Sequence, residues 1–277
     1  MRRKSIPCKT FSVRLAGGCL VAWIATSELT AAIGGNAQAA EADSTVIGVG
    51  WQYRPAYEGA SSRKGGWIPV LSVIRDEWFL RTTQGKIEGG VTYAFSPEFV
   101  MGGLLLHEEG RVTNESAFLR SRGIPNLAPG PAIGYFAEYD WNAGSVPLTA
   151  LARYRCRWHF DRDRGAQADF RLTVGLLDTG WLRAVAFSQL TLSDRQEMRG
   201  YFGVSQELSA SSGLPAHTAD PGRRFKAFGV QTSLGLDRGI ALVGRAEVHR
   251  LLGDAAASPL VERKTNSYVG VGIAWRI

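Results

Sequence analysis

Few side chains in residues 40–277 of this chain could do covalent chemistry. The histidines are His107, His159, His217 and His249, and none stands at a spacing from a serine that suggests a nucleophile with its base. Gly203-Val204-Ser205-Gln206-Glu207 lacks the second glycine of a nucleophile elbow and follows no α/β pattern. His249 shares a strand face with Glu247 and Arg245. That trio reads as an acid–base site or as a polar network inside the fold, and the network is the simpler reading.

The richest constellation is a ladder, Arg153, Arg155 and Arg157, followed by Asp169 and Arg171. Three cations on one face repel unless carboxylates or water screen them. They therefore either pair with Asp169, Glu138 and Asp140 or line a wet, anion-selective lumen. Asp161-Arg162-Asp163-Arg164 reads as a solvated mixed-charge turn. Cys156 is the only cysteine after residue 39, so no disulfide forms within that part, and a lone thiol supports no structural zinc site. No cofactor motif is present.

The start of the chain explains its basic character. Arg2, Arg3, Lys4, Lys9 and Arg14 precede or enter a mostly apolar stretch, Leu15 to Ile33, that closes near Ala37-Gln38-Ala39. This is the pattern of a cleaved secretory signal over residues 1–39, with a mature chain of 40–277. The leader takes five of the 32 basic and one of the 25 acidic residues, which leaves a net charge of +3. The remaining Lys and Arg are scattered, so no tract exists to track phosphates and nucleic acid is not a partner. No apolar run after residue 39 is long enough for a helical membrane span.

The elements that must position these charges are strands. Pro131, Ile133, Tyr135, Ala137, Tyr139 and Trp141 alternate with Gly134, Glu138 and Asp140. Leu148, Ala150, Ala152, Tyr154, Cys156 and Trp158 oppose the arginine ladder. Ala166, Ala168, Phe170, Leu172, Val174 and Leu176 oppose Gln167, Asp169, Arg171 and Thr173. Ile240, Leu242, Ala246 and Val248 oppose Arg245, Glu247 and His249, and Val269 to Ile277 alternates to the end. A soluble sandwich also alternates. Segments of about nine to eleven residues with terminal Tyr and Trp instead fit a tilted crossing of a bilayer, polar side inward. The predicted fold is all-β, a closed antiparallel transmembrane barrel of about twelve strands.

Those strands are read at 45–53, 66–75, 77–94, 98–107, 130–141, 146–158, 165–177, 180–191, 199–206, 224–236, 239–251 and 267–277. Counted back from a periplasmic C-terminus, this set puts 207–223 and 252–266 outside. It also puts the long piece 108–129 on the periplasmic side, against the rule that long loops face outward. Either the count fails before residue 130 or that piece has a periplasmic role of its own.

Four stretches carry a family likeness: Gly48-Val49-Gly50-Trp51-Gln52-Tyr53-Arg54-Pro55-Ala56-Tyr57-Glu58-Gly59, with Pro69 and Leu71 after it; Tyr201-Phe202-Gly203-Val204-Ser205; Ser212-Gly213-Leu214 with Gly222; and Leu252-Gly253-Asp254-Ala255-Ala256-Ala257-Ser258-Pro259-Leu260-Val261. They resemble the MltA-interacting protein (MipA/OmpV) family of outer-membrane barrels, with Tyr201–Ser205 matching a late strand. The chain departs from such barrels in ending on Ile277 rather than an aromatic residue. The resemblance implies an outer-membrane protein of cell-wall metabolism, in contact with outer-membrane lipid. It is similar to a scaffold that joins a murein hydrolase to a murein synthase, and some relatives are linked to passage of small solutes. No catalytic residue comes with the family. Gly253, Asp254, Ser258 and Pro259 form the family-like loop, whose glycine and proline restrict a turn that Asp254 caps.

Overall fold

The structure is a computed structural model and describes residues 44–157, 165–237 and 239–277, without the side chain of Arg157. The proposed leader and the 161–164 turn lie outside the described residues. Twelve strands follow one another: β1 (Ser44–Pro55), β2 (Arg63–Arg75), β3 (Trp78–Thr83), β4 (Lys86–Ala94), β5 (Phe99–Glu108), β6 (Gly130–Ala143), β7 (Val146–Arg157), β8 (Ala166–Asp178), β9 (Leu182–Ser193), β10 (Gly222–Asp237), β11 (Ile240–Leu251) and β12 (Thr265–Arg276). Each pairs antiparallel with the next, and β1 closes on β12 from Val46↔Arg276 to Tyr53↔Val269. Closure leaves no sheet edge running the full height of the wall, as hydrocarbon surroundings demand.

Alternation along each strand separates the two surfaces. Ile47, Val49, Trp51 and Tyr53 of β1 and Val269, Val271 and Ile273 of β12 are exposed on the outer wall, while Val46, Ala274 and Val70 are buried inside. Exposed aromatics gather toward the two ends. Trp51 and Trp67 meet edge to face at 5.1 Å near one rim, and Tyr93 and Phe95 meet at 4.7 Å near the other. An apolar wall between aromatic girdles is the exterior of a transmembrane barrel.

Two elements differ from the sequence reading, and the errors offset each other. The stretch 77–94 is not one long strand. It folds as a hairpin, β3–β4, around Gln84-Gly85, both with positive φ (52° and 76°), as a two-residue type I′ turn requires. The stretch 199–206 is not a strand either. Its first half belongs to helix α2 (Arg195–Phe202), preceded in the β5–β6 loop by the short α1 (Ala117–Ser121), and its end opens α3 (Gln206–Ser212). Asp194 caps α2 by accepting from the Glu197 amide at 2.8 Å, and Met198, Tyr201 and Phe202 form its buried stripe.

One strand gained and one lost keep the total at twelve and move the loops. Connections 56–62, 109–129, 194–221 and 252–264 share one end of the barrel with the Gln84-Gly85 turn. Turns 76–77, 95–98, 144–145 and 179–181 and the junction of β10 with β11 share the end that holds the start of β1 and the end of β12. The long piece 108–129 therefore lies with the other long loops, and its periplasmic placement is withdrawn.

The lumen is packed. Phe79, Leu104, Leu106, Ala132 and Phe136 form an apolar cluster inside the wall of β3–β6. Inward Gly102 lets the Phe136 ring lie against the backbone: a Cβ there would stand 2.6 Å from that ring and overlap the Val91 carbonyl, whereas one on outward Gly103 would meet only Val91 at 3.9 Å. Gly102→Val should therefore cost about 1–3 kcal/mol through overpacking and deplete the heat-modifiable folded band on an envelope gel. Gly103→Val should leave that band unchanged.

Candidate functional site

The inward face of β7 presents Arg153 and Arg155, 5% and 6% exposed, to carboxylates on three other strands. Arg153 bridges Glu88 on β4 at 3.3 Å and Asp169 on β8 at 3.2 Å. Arg155 bridges Asp169 at 2.8 Å and also Glu108 on β5, whose other oxygen takes Lys86. Arg81 completes the group on Glu88 at 2.6 Å and lies over the Phe79 ring at 4.4 Å. Asp169 accepts from Thr191 at 2.7 Å as well. Arg171 directs two donors to the Gln189 side-chain oxygen, at 2.6 and 2.9 Å, and covers Phe187.

This belt differs from the expected pairing. Asp169 is a partner, but Glu138 and Asp140 make no ion pair with Arg153 or Arg155, and Asp140 instead accepts from Thr149 at 2.5 Å. The register explains it. Arg153 faces Phe136 and Arg155 faces Gly134 on β6, so the strand beside them offers no carboxylate, and Gly134 leaves room for the Arg155 stem. The guanidinium groups reach along the inner wall past β6 to Glu108 on β5 and Glu88 on β4. Sequence reasoning missed both, because partners two and three strands away are set by the register and curvature of the sheet rather than by strand adjacency. The side chain of Arg157 lies outside the described residues.

Arg245, Glu247 and His249 stand opposite, on β11. Arg245 donates to Glu247 at 2.6 Å, and His249 lies 3.3 Å from Glu247 between the rings of Phe225 (4.6 Å) and Tyr268 (4.3 Å). The three line a cavity of about 220 Å³ that the belt displaces to the β1–β2 and β10–β12 side. Glycines 50, 244, 270 and 272 give it width, and Val46, Val70, Val243 and Ala274 pack together below it.

A cap of loops covers the opposite end. Ala56, Tyr57, Leu119, Ile124, Val204 and Leu260 form one apolar cluster there, and Met198, Tyr201, Phe202, Phe225 and Ala255 another. Gly253, with φ of 50°, starts the short helix α4 (Gly253–Ala257). Asp254 accepts from the Asp220 amide and from His217, Ser258 donates to the Phe202 carbonyl at 2.6 Å, and half-buried Pro259 leads into buried Leu260. Tyr57 donates to the Leu260 carbonyl at 2.9 Å and contacts Glu262. Arg224 ties cap to belt, bonding Glu58 at 2.8 Å and Glu197 at 2.7 Å, while Glu197 also accepts from Gln167.

Residues 56–59, 201–205, 212–214 and 252–261 therefore meet in the cap, while residues 48–54, Pro69 and Leu71 lie in the wall. A family model described as MltA-interacting protein MipA matches residues 47–277. The chain belongs to the MltA-interacting protein family. It is an outer-membrane barrel of that family, and the match covers both its wall and its cap. No curated protein matches the sequence. Solved structures similar to it include the NanC porin, at 9% identity over 84% of this chain and 100% of that one with a TM-score of 0.44. The translocator domain of the autotransporter NalP from Neisseria meningitidis aligns at 10% identity over 87% and 91%, TM-score 0.43. OmpT of Vibrio cholerae aligns at 5% identity over 85% and 97%, TM-score 0.35.

Removing one partner of a buried ion pair leaves an uncompensated charge and costs about 3–5 kcal/mol. Asp169→Ala should thus lower the urea midpoint in lipid vesicles strongly, while Glu109→Gln, on the half-exposed rim pair with Arg54, should move it by under about 1 kcal/mol. In the cap, burial first and then the Glu262 carboxylate push the Tyr57 phenol up. Its folded value exceeds the unfolded one, so the stability linked to Tyr57 is complete below the ordinary tyrosine pKa of about 10 and falls as pH rises past it. Tyr57→Phe should flatten that alkaline decline in a pH series of unfolding midpoints.

Proposed function

We propose that this MltA-interacting family barrel is a sealed membrane anchor that holds a murein hydrolase and a murein synthase together, rather than a conduit. The observation that carries the reading is the filled lumen. Ion pairs from β4, β5, β7 and β8, an apolar cluster beside them and the cap occupy the path that an open pore would keep wet. A barrel without a through-path acts by what its ends present. Supporting the partner class is the family's own description as MltA-interacting. No catalytic role is part of this reading, and no cofactor enters it.

With the termini periplasmic, the docking end is the set of short turns carrying Asp76, Glu77, Glu98, Asp178 and Asp237. The second reading, a narrow channel for small solutes with a charged lumen, draws on the off-axis cavity beside Arg245 and Glu247.

Planar-bilayer recordings separate the two. The wild-type protein should be silent, and Arg153→Ala with Arg155→Ala should open measurable current. Steady wild-type conductance that changes on neutralising those arginines would establish the channel instead. For the anchor, affinity purification from cross-linked envelopes should recover murein hydrolase and synthase. Alanine at Glu77 and Glu98 should reduce that recovery several-fold, and alanine at Glu115 in the cap should not; equal recovery from all three would defeat periplasmic docking.

A further inference from the structure

The barrel wall has a gap. β2 pairs with β1 along its whole length, Arg63 to Ile74, but with β3 only from Ser72 to Arg75. The β3–β4 hairpin turns at Gln84-Gly85, level with Pro69, so residues 63–69 of β2 rise from its tip for roughly 20 Å with no paired strand on that side. Below the gap is the hairpin tip and across it His107 of β5. Above, Lys64 pairs with Glu115 of the β5–β6 loop at 2.6 Å. A cavity of about 530 Å³ fills the opening. It shares Gln52, Arg54, Ile68, Gly85, Lys86 and Glu109 with the lumen cavity, so the two meet behind the wall.

The edge of β2 is adapted to this gap. Pro69 has no amide proton to leave unpaired, and its carbonyl accepts from the Thr82 hydroxyl at 2.9 Å. Strand alternation points the N–H and C=O of Gly65 and Trp67 to the same side as Pro69, into the opening. Trp67 stands 73% exposed on the outer wall beside Trp51, which places the mouth at the depth of an aromatic girdle, where headgroups lie.

The chemistry changes from mouth to interior. Around the mouth are Arg54, Lys64 and Lys86, each giving a donor to one carboxylate (Glu109, Glu115 and Glu108) and retaining others. Deeper in the lumen, Ile68, Val70 and Val243 and the glycines 50, 270 and 272 form an apolar strip in a cavity whose lining also holds Gln52, Gln231 and the Arg245–Glu247 pair. A mouth of ion-paired cations with N–H groups to spare, beside backbone amides and in front of an apolar strip, suits a phosphate joined to a hydrocarbon chain.

We propose that the gap between β2 and the β3–β4 hairpin admits, sideways from the outer leaflet, the acyl chain of a phosphate-bearing lipid. The chain lies along Ile68, Val70 and Val243, and the phosphate rests among Arg54, Lys64, Lys86 and the amides of Gly65 and Trp67. Nothing in this needs a partner protein or a through-path, so it stands or falls apart from the anchor reading.

The test uses the full barrel in vesicles containing phosphatidylglycerol with a photoactivatable group on the acyl chain, followed by mapping of cross-linked peptides. Wild type should label inward residues of β2, β11 and β12 in addition to the outer wall. Gly66→Trp should remove the inward labels and keep the outer ones, because a side chain there meets nothing within 4 Å and projects into the opening. Gly270→Phe, whose Cβ has only the Trp51 carbonyl at 3.7 Å, should do the same by filling the slot, with heat modifiability confirming that both variants fold. Labels confined to the outer wall in wild type, or inward labels that persist in both variants, would overturn the proposal. So would inward labelling by a photoactivatable free alkane as strong as that by the phospholipid, since the phosphate would then have no part.

Discussion

Charge neutralisation inside a closed wall is the constraint on which this barrel depends. A guanidinium in a lumen too full for bulk water must find a carboxylate, and the desolvation cost of both ions is offset only by close, multiply bonded geometry. Arg153 and Arg155 meet that condition because Asp169 lies between them on β8 and Glu88 and Glu108 approach from β4 and β5, beyond β6. The pairs cross-link β4 and β5 to β7 and β8 over the inner face of β6, the one strand between them. The belt thus fixes the cross-section of the barrel, and the apolar cluster around Phe136 and the displaced cavity are what remains on either side of it.

The cap extends this logic to the loops. Loops on an outer-membrane barrel are usually wet, yet here Tyr57, Phe202, Leu260 and Ile124 are buried with only a few percent exposure. Their packing is anchored by Arg224, which reaches from the start of β10 to Glu58 and Glu197 and lies over the Tyr201 ring at 4.4 Å. Helix α2 is therefore held by an ionic contact at its first turn and by its apolar stripe further along. The motifs shared with the family are concentrated in this cap, at Pro55 to Gly59, Tyr201 to Ser205 and Leu252 to Val261. What they encode locally is a seal over the barrel mouth.

The barrel was legible because two solvents with opposite demands, lipid and lumen, impose period two on every strand. Tyr135 and Tyr139 against Phe136, and Leu172 against Arg171, show it residue by residue. The interior was less legible. Nothing in the spacing of Glu88 and Glu108 ties them to Arg153 and Arg155, since that relation exists only once β4 to β8 are paired in register and curved. The hairpin at Gln84-Gly85 was hidden because glutamine is an uncommon residue at positive φ, so the turn lacks the usual Asn-Gly signature. Helix α2 was hidden because Tyr201-Phe202-Gly203-Val204 imitates a short strand, although Asp194 with Glu197 three residues on is a capping signature that could have located it.

The Gln84-Gly85 turn has two consequences from one cause. By splitting 77–94 into two strands it reverses the direction of all that follows, so the chain needs one strand fewer later on, and α2 takes that place. By splitting them early, with only six residues in β3, it also stops the wall short beside β2. A longer hairpin would have kept the same topology and closed the gap, so topology alone does not explain the short one. The backbone beside the gap is fitted to being open: a proline where an amide would go unpaired, a threonine hydroxyl on the carbonyl that remains, and a loop ion pair spanning the top. An edge left by chance in a membrane wall would carry uncompensated amides in hydrocarbon. This edge instead combines a removed donor with basic side chains around the amides that stay, which is the arrangement of a surface shaped to meet a polar group at the level of the lipid headgroups.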